Sequence, residues 1–331
     1  MCGQFMSDLN RVGFYFTSGT YANPTGTTLQ NFGLVQNHEP DETVNIEQVR
    51  YTGADSLNVG QQVTTSKDYT GTVSYYPQDF KAFWFALGSI SDTSGTISTH
   101  VIKETDSNEG NIYVSGAGKC GDLIDFNVYD AHRCNPTGGN WIRQYNGAKI
   151  DSLSITGNEG GLLSCDLNYT AQTVTDTSGA SAVITPSTTR PFVFSDCLLT
   201  LPSGTAVDEM ISFTWSVTND YKKRHYGNGS EVISEPKRLK RSYAFDFNID
   251  ENTTHRKTFY ETYFQGGSTF NCMLQIGTPA ARKAFIIMSG CRMADDGVAT
   301  PNEGANEESI TIIPQTCSIN VSDVIASYTA W

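Results

Sequence analysis

The residues best suited to chemistry are five histidines, eight cysteines and one glycine loop that carries a lysine. A phosphate cradle of the GxxxxGK[ST] type wraps phosphates in glycine backbone and reaches them with the lysine. Ser115-Gly116-Ala117-Gly118-Lys119-Cys120 supplies Gly118 and Lys119 but has Tyr113 and Cys120 at the other required positions, so it reads as a turn. His38, His100, His132, His225 and His255 form neither HxxxH nor HExxH. His132 and Cys134 with Cys120 are zinc-type ligands at an unfamiliar spacing. Asp122, Asp125 and Asp130 alternate with Leu123, Ile124, Phe126 and Val128, a strand pattern rather than a calcium loop. No GxSxG elbow is present. Cys2, Cys120, Cys134, Cys165, Cys197, Cys272, Cys291 and Cys317 are widely spaced with no CxxC. In a reducing compartment they are expected to be small buried apolar residues rather than a disulfide framework. No catalytic, cofactor-binding or metal-binding residue is expected, and no enzyme.

One charge feature does stand out. Lys222-Lys223-Arg224-His225 and Lys237-Arg238-Leu239-Lys240-Arg241 flank a turn at 226–230. With Arg256 and Lys257 they hold 9 of the 22 Lys and Arg in a chain of net charge −13. A basic arm on an acidic protein suits pairing with an acidic face of another copy, since complementary charge fixes register and partner choice. The remaining acidity is spread along the chain and counts against nucleic-acid binding, whose footprint is basic.

The elements that must carry this arm are β-strands, and they recur. Tyr69-Thr70-Gly71-Thr72-Val73-Ser74-Tyr75 alternates with period two and leads to a helix over Pro77–Leu87 that stops at Gly88. Tyr243–Ile249 alternates in the same way and leads to a helical stretch over His255–Phe264 that stops at Gly266-Gly267. Phe80, Phe83, Trp84 and Leu87 fall at helical spacing and should cover a sheet. Ile150–Ile155 and Leu163–Thr170 flank a glycine-rich turn and read as a hairpin. Phe192–Leu201 and Met210–Thr218 read as further strands. Thr175–Thr189, rich in Ser, Thr, Pro and Gly, is the best boundary. The expected division is an extended arm with little core at 1–40, a first unit at 41–180 with an insertion at about 97–145, and a second unit at 190–331.

A length of 331 residues allows two such units without disulfides or metals to support them. Thirty glycines, sixteen tyrosines, seventeen phenylalanines and only 17% charged residues suit a β protein. The N-terminus lacks the regions of a signal peptide, and no apolar run approaches the ~18 residues of a membrane span. Synthesis in a cytoplasm without membrane insertion is expected.

The order of elements and several phrases resemble the major tail tube proteins of long-tailed bacterial and archaeal viruses. The phrases are Ala86-Leu87-Gly88, Gly147-Ala148-Lys149-Ile150-Asp151-Ser152-Leu153-Ser154-Ile155, Glu159-Gly160-Gly161-Leu162-Leu163, Pro191-Phe192-Val193-Phe194 and Leu199-Thr200-Leu201-Pro202-Ser203-Gly204. The resemblance spans about 40–331. It implies a mainly β fold of two tandem sandwich or barrel-forming tube domains, each with a short flanking helix. It implies homo-oligomeric rings stacked into a hollow tube, a trimer with pseudo-sixfold symmetry being favoured over a hexamer. Tape-measure, tail-tip and terminator proteins become expected partners, and genomic DNA would pass the lumen without specific binding. The place of action would be the virion tail, assembled in the host cytoplasm. The arms at 51–68 and 219–241 inherit a contact role between subunits or rings, with Tyr51, Asp55, Lys222, Lys223, Arg224, Lys237, Arg238, Lys240 and Arg241 as candidate contacts. The competing reading is a carbohydrate- or receptor-binding β module of a tail tip or fibre, with Trp141 and Tyr145 as its aromatic platform.

Overall fold

The computed structural model describes residues 11–16, 29–49, 61–104, 123–135, 138–178, 187–202, 206–250, 258–277, 282–299 and 306–328. Strands β1 (Arg11–Phe16), β2 (Gln30–Asn31), β3 (Leu34–Val49) and β4 (Gln61–Tyr76) precede helix α1 (Lys81–Leu87). Next come β5 (Gly88–Thr93), β6 (Ser98–Glu104), β7 (Phe126–Asn135), β8 (Gly138–Asn158), β9 (Ser164–Ala171) and β10 (Thr173–Ser178). Then follow β11 (Cys197–Thr200), β12 (Ala206–Val207), β13 (Met210–Lys222) and β14 (Lys237–Asp250). After a π-helix at Thr258–Gln265 come β15 (Phe270–Ile276), β16 (Lys283–Ala299), β17 (Glu307–Ile313) and β18 (Thr316–Asp323). The fold is mainly β, as expected.

The named strands pair antiparallel in three connected sheets. The widest runs β3–β4–β9–β8–β13–β14–β17–β16. A second runs β2–β1–β7–β8–β10. A third runs β5–β6–β18–β16–β15–β11–β12. β8 and β16 are long enough to bend from one sheet into the next. Gly290, with φ +62, precedes the point where β16 changes sheets.

The alternation in the sequence is the alternation in the sheet. Val73 and Tyr75 are buried while Thr72 and Ser74 are half-exposed; Phe213, Trp215 and Val217 alternate likewise with Thr214 and Ser216. These inward faces join one continuous apolar cluster with α1, where Phe83 stacks on Trp215 at 6.1 Å between centroids.

Five expectations differ from the structure. Of the strand expected over Phe192–Leu201 only Cys197–Thr200 is strand, and Phe194–Asp196 forms a 3-10 turn before it. Part of the stretch read as an arm at 1–40 has core of its own: Val12, Phe14 and Phe32 are buried, and β1 pairs with β7 along six residues. The first helix starts at Lys81, not Pro77. The Pro77 carbonyl instead accepts Phe192 N–H, and Asp79 Oδ1 takes the Lys81 N–H that a helix start leaves open. The second helix has π form where it is described: Gly266 N–H reaches Glu261 O, five residues back. The linker proposed from Thr175 begins as strand, since Thr173–Ser178 pairs with β8.

Candidate assembly surface

The widest sheet has two long edges. β3 pairs with β4 on one side, and residues 292–299 of β16 pair with β17 on one side. Among the described residues neither has a paired strand on its outer side. Unpaired edges of this length invite strand addition unless blocked. Beyond Thr43 the β3–β4 hairpin exposes Val44, Ile46, Val49 and Val63, an apolar load that suits burial against another chain.

The sheet face opposite the core is polar and anionic. Hydroxyl, amide and carboxylate side chains bond across strands: Thr72 Oγ1 to Asn168 at 2.5 Å, Asn168 Nδ2 to Ser152 at 2.8 Å, Thr311 Oγ1 to Asp246 at 2.6 Å. No Lys or Arg occurs in 70–76, 152–158, 164–170, 212–218, 242–248 or 307–313.

The basic arm lies against the first half of the chain. Lys67 N–H donates to Glu231 O at 2.8 Å, and Gln172 Nε2 donates to Ile233 O at 3.1 Å. Ile233 is buried. Lys149, wholly buried on β8, donates to Glu235 Oε1 at 3.0 Å and Pro236 O at 3.3 Å. The arm therefore extends the row begun by β9 and props the β3–β4 hairpin.

The candidate contact residues divide accordingly. Lys223 Nζ donates to Thr170 Oγ1 at 2.6 Å and lies 3.6 Å from Asp151. Arg241 Nε donates to Asn219 Oδ1 at 2.7 Å, and Asn219 Nδ2 in turn serves Ala86 O and Ile150 O. These two cations work within the chain. Lys222, Arg224, Lys237 and Lys240 are exposed, with Lys240 loosely paired to Asp220 at 3.3 Å and Lys237 to Glu235 at 3.7 Å; Arg238 is half-buried. Tyr51 and Asp55 lie outside the described residues.

Two histidine clusters escaped the sequence reading. Asp130 Oδ2 is shared by His38 Nδ1 at 2.9 Å and His132 Nε2 at 3.2 Å, and His38 Nε2 meets Tyr169 OH at 2.8 Å. Burial pushes the Asp130 carboxyl up, but hydrogen bonds from His132 and His38 outweigh it and hold the group down at about 2. The second cluster centres on His100. Its Nδ1 meets Asp92 at 2.8 Å, and its Nε2 meets Asp323 at 3.2 Å and Ile325 O at 3.0 Å. Tyr328 stacks on the ring at 3.9 Å and donates its hydroxyl to Asp323 at 2.7 Å. The contacts that cross the fold, His38–Asp130 at 92 residues and His100–Asp323 at 223, leave no spacing signal to find, although Asp92 lies only 8 residues from His100. Each cluster uses its histidines as pins between strands, and the Tyr169 hydroxyl that meets His38 belongs to a side chain buried at 1% exposure.

Of the residues considered for metals, Cys120, Asp122 and the Cys134 side chain lie outside the description, and Asp130 is engaged by histidines. The glycine loop at 115–120 also lies outside it. The aromatic platform is not formed: Tyr145 is fully buried and hydrogen-bonds Glu42, while Trp141 packs between His132 and the Arg143 guanidinium.

Open-edged strands, an exposed apolar hairpin and a polar anionic sheet face mark a self-associating β protein. The sequence matches the phage tail tube protein family over residues 16–321, and the chain belongs to that family. Its role is that of a structural tail tube protein of the virion tail, self-assembling into a tube. A comparison with curated proteins finds no match.

Proposed function

We propose that the chain is a two-unit tube subunit, three copies of which close a pseudo-sixfold ring, and that the rings stack into the conduit through which DNA leaves a siphovirus-like particle. One observation carries the reading: the two halves of the widest sheet have the same neighbours and the same irregularities. β3–β4–β9–β8 is followed by β13–β14–β17–β16. β3 slips against β4 between Val35 and Asn37, as β13 slips against β14 between Met210 and Ser212. β8 slips against β9 between Ile150 and Ser152, as β16 slips against β17 between Met293 and Asp295. The outer sheets agree as well, β10–β8–β7–β1–β2 answering β18–β16–β15–β11–β12. On this reading the first unit includes β1 and β2, and the β5–β6 hairpin is an addition that pairs with β18 of the second.

The seam between halves then serves as the template for the seam between copies. Within the chain β8 pairs with β13, Ser154 opposite Ser216. The equivalent partners are β16 and the β3 of the next copy, with Gly297 opposite Asp41. Three copies supply three times eight strands, and at ~4.8 Å per strand the wall closes at a diameter of about 40 Å. If the polar face lines that lumen, its carboxylates repel phosphate and let DNA slide without specific binding. Tape-measure protein would occupy the lumen during assembly, and tail-tip and terminator proteins would cap its ends.

Electron microscopy of the purified protein tests the reading. Rings or tubes about 10 nm wide are expected, and a persistent monomer that binds glycans would overturn it. The register has its own test. Asp41→Cys with Gly297→Cys is expected to cross-link copies into closed trimers under mild oxidation, because no atom crowds a side chain at Gly297. Cross-links absent from otherwise normal tubes would refute the register but not the tube. The arm is proposed as a contact between subunits or rings through its outward cations. Lys237→Glu with Arg238→Glu should leave the monomer folded by circular dichroism and reduce tube yield severely. Unchanged yield removes the arm from the contact.

A further inference from the structure

Cys272 on β15 and Cys291 on β16 are core residues at 3% and 0% exposure, and their sulfurs lie 3.8 Å apart. Of the other described cysteines, only Cys317 lies near enough to act electrostatically on this pair, opposite Met288 on the far side of β16. Cys197 points its sulfur at Val193 O, Cys165 lies beside Tyr75, and Cys317 sits by Trp215. The pair sits at an irregularity. Phe270 faces Cys291 and Cys272 faces Met288, with a register shift between. Just before Cys291, Gly290 takes φ +62 and β16 leaves one sheet for the next.

We propose that Cys272 and Cys291 are an oxidisable dithiol that closes to a disulfide, stapling β15 to β16, when a peroxide reaches the protein. A disulfide bond is ~2.05 Å long. Closing 3.8 Å to that length takes side-chain rotation and some give in the backbone, and a bulged stretch has more give than a regular ladder. The two sulfurs are also unequal. The hydrogen bond from Cys272 lowers the Cys291 thiol below the ordinary range, while the Cys272 thiol is raised by the same contact and by burial. Cys291 is thus the sulfur that attacks.

The step balances with hydrogen peroxide as the two-electron oxidant. The Cys291 thiolate attacks one peroxide oxygen, the O–O bond breaks, and Cys291 becomes a sulfenic acid while hydroxide leaves and takes the thiol proton as water. Cys272 sulfur then attacks the Cys291 sulfur. The S–O bond breaks, and the departing hydroxyl leaves as water with the Cys272 proton. Both thiols are oxidised and one peroxide is reduced to two waters. Peroxide is small enough to enter a site that larger disulfide oxidants could not. The staple would hold the bend in β16 where it turns toward its open edge, whatever that edge pairs with.

Peptide mapping of the full-length protein tests this without any variant. Protein treated with excess hydrogen peroxide is quenched, unfolded in a maleimide and digested. The expected result is a cross-linked peptide pair containing Cys272 and Cys291, lighter by two hydrogens than the separate thiols, with Cys317 still alkylated. Full alkylation of Cys272 and Cys291 after treatment overturns the proposal, as does a link from either one to Cys317. The oxidised protein should also unfold about 5 °C higher than the same sample given reductant, from the loop the bond closes. Cys291→Ser, or Cys272→Ala should that variant fail to fold, should lose this response to reductant. A response retained in the variant would also overturn the proposal.

Discussion

His100→Leu is expected to cost about 3 kcal/mol of unfolding free energy near pH 6, the scale for removing one partner of a buried ion pair. The ring is wholly buried, and its nitrogens meet only acceptors: the Asp92 carboxylate on one side, the Asp323 carboxylate and Ile325 carbonyl on the other. A neutral imidazole donates from one nitrogen only, so this geometry calls for the imidazolium. Leucine would leave two carboxylates facing an apolar side chain. They would keep Ser327 Oγ and the Tyr328 and Ile325 N–H groups as donors but lose the charge between them. The damage should appear first where β6 pairs with β18 and in residues 324–328, which the ring holds in place. Hydrogen exchange there should quicken while β4 and β9 stay protected.

The same site sets a pH dependence. Burial opposes the charge on His100, but hydrogen bonds to Asp323 and Asp92 outweigh it, so the folded-state pKa lies above the ordinary 6.5. A group raised on folding contributes in full below its unfolded pKa and loses that contribution as pH climbs through the folded value. The wild-type advantage over His100→Leu should therefore be greatest below about pH 6.5 and shrink as the solution is made alkaline. The other groups facing this cluster are Asp79, Arg282 and Tyr328. Burial holds the Tyr328 hydroxyl well above its ordinary range, so it stays neutral across that window. Chemical denaturation of both proteins from pH 5.5 to 9 reads the difference. A gap that widens as pH rises would mean that His100 is neutral in the fold, and a gap independent of pH would mean that its pKa does not change on folding.

Period-two alternation made much of the architecture legible. Tyr69–Tyr75, Ile150–Ile155, Ser164–Thr170, Met210–Thr218 and Tyr243–Ile249 all lie in strands with the expected faces inward. β1 carried the same signal in Val12, Phe14 and Phe16, but the Gly, Thr and Asn around it suggested an arm. Pro77 suggested a helix start because proline tolerates the first turn, yet its carbonyl was needed by Phe192. The basic arm was legible as charge; its docking was not. That depends on Lys149, a buried cation on β8 whose partner is 86 residues away. The pins at His38 and His100 were hidden for the same reason, since pairing across sheets is set by topology and not by local spacing.

Lys149→Met is expected to cost a further 3–5 kcal/mol, the range for leaving one member of a buried pair without its partner. The ammonium is wholly buried, and Glu235 is only slightly exposed. With methionine at 149, the Glu235 carboxylate loses the ammonium at 3.0 Å, and Lys237 lies farther off, at 3.7 Å. Restoring balance should restore stability. Lys149→Met with Glu235→Leu is expected to recover most of the loss, because removing both charges leaves no uncompensated group. A double-mutant cycle in urea should give a coupling of roughly 2–3 kcal/mol; additive costs would mean that the pair does not hold the arm. Exchange should localise the effect. Residues 231–236 should lose protection in the single variant and regain it in the double, while Trp215 and its strand stay protected in both. Tube formation then separates a docked arm from a merely charged one. Lys149→Met keeps every outward cation yet frees the segment that carries them. If the arm must be held against β4 and β9 to meet another copy, this single variant should lose tubes and the double variant should regain them.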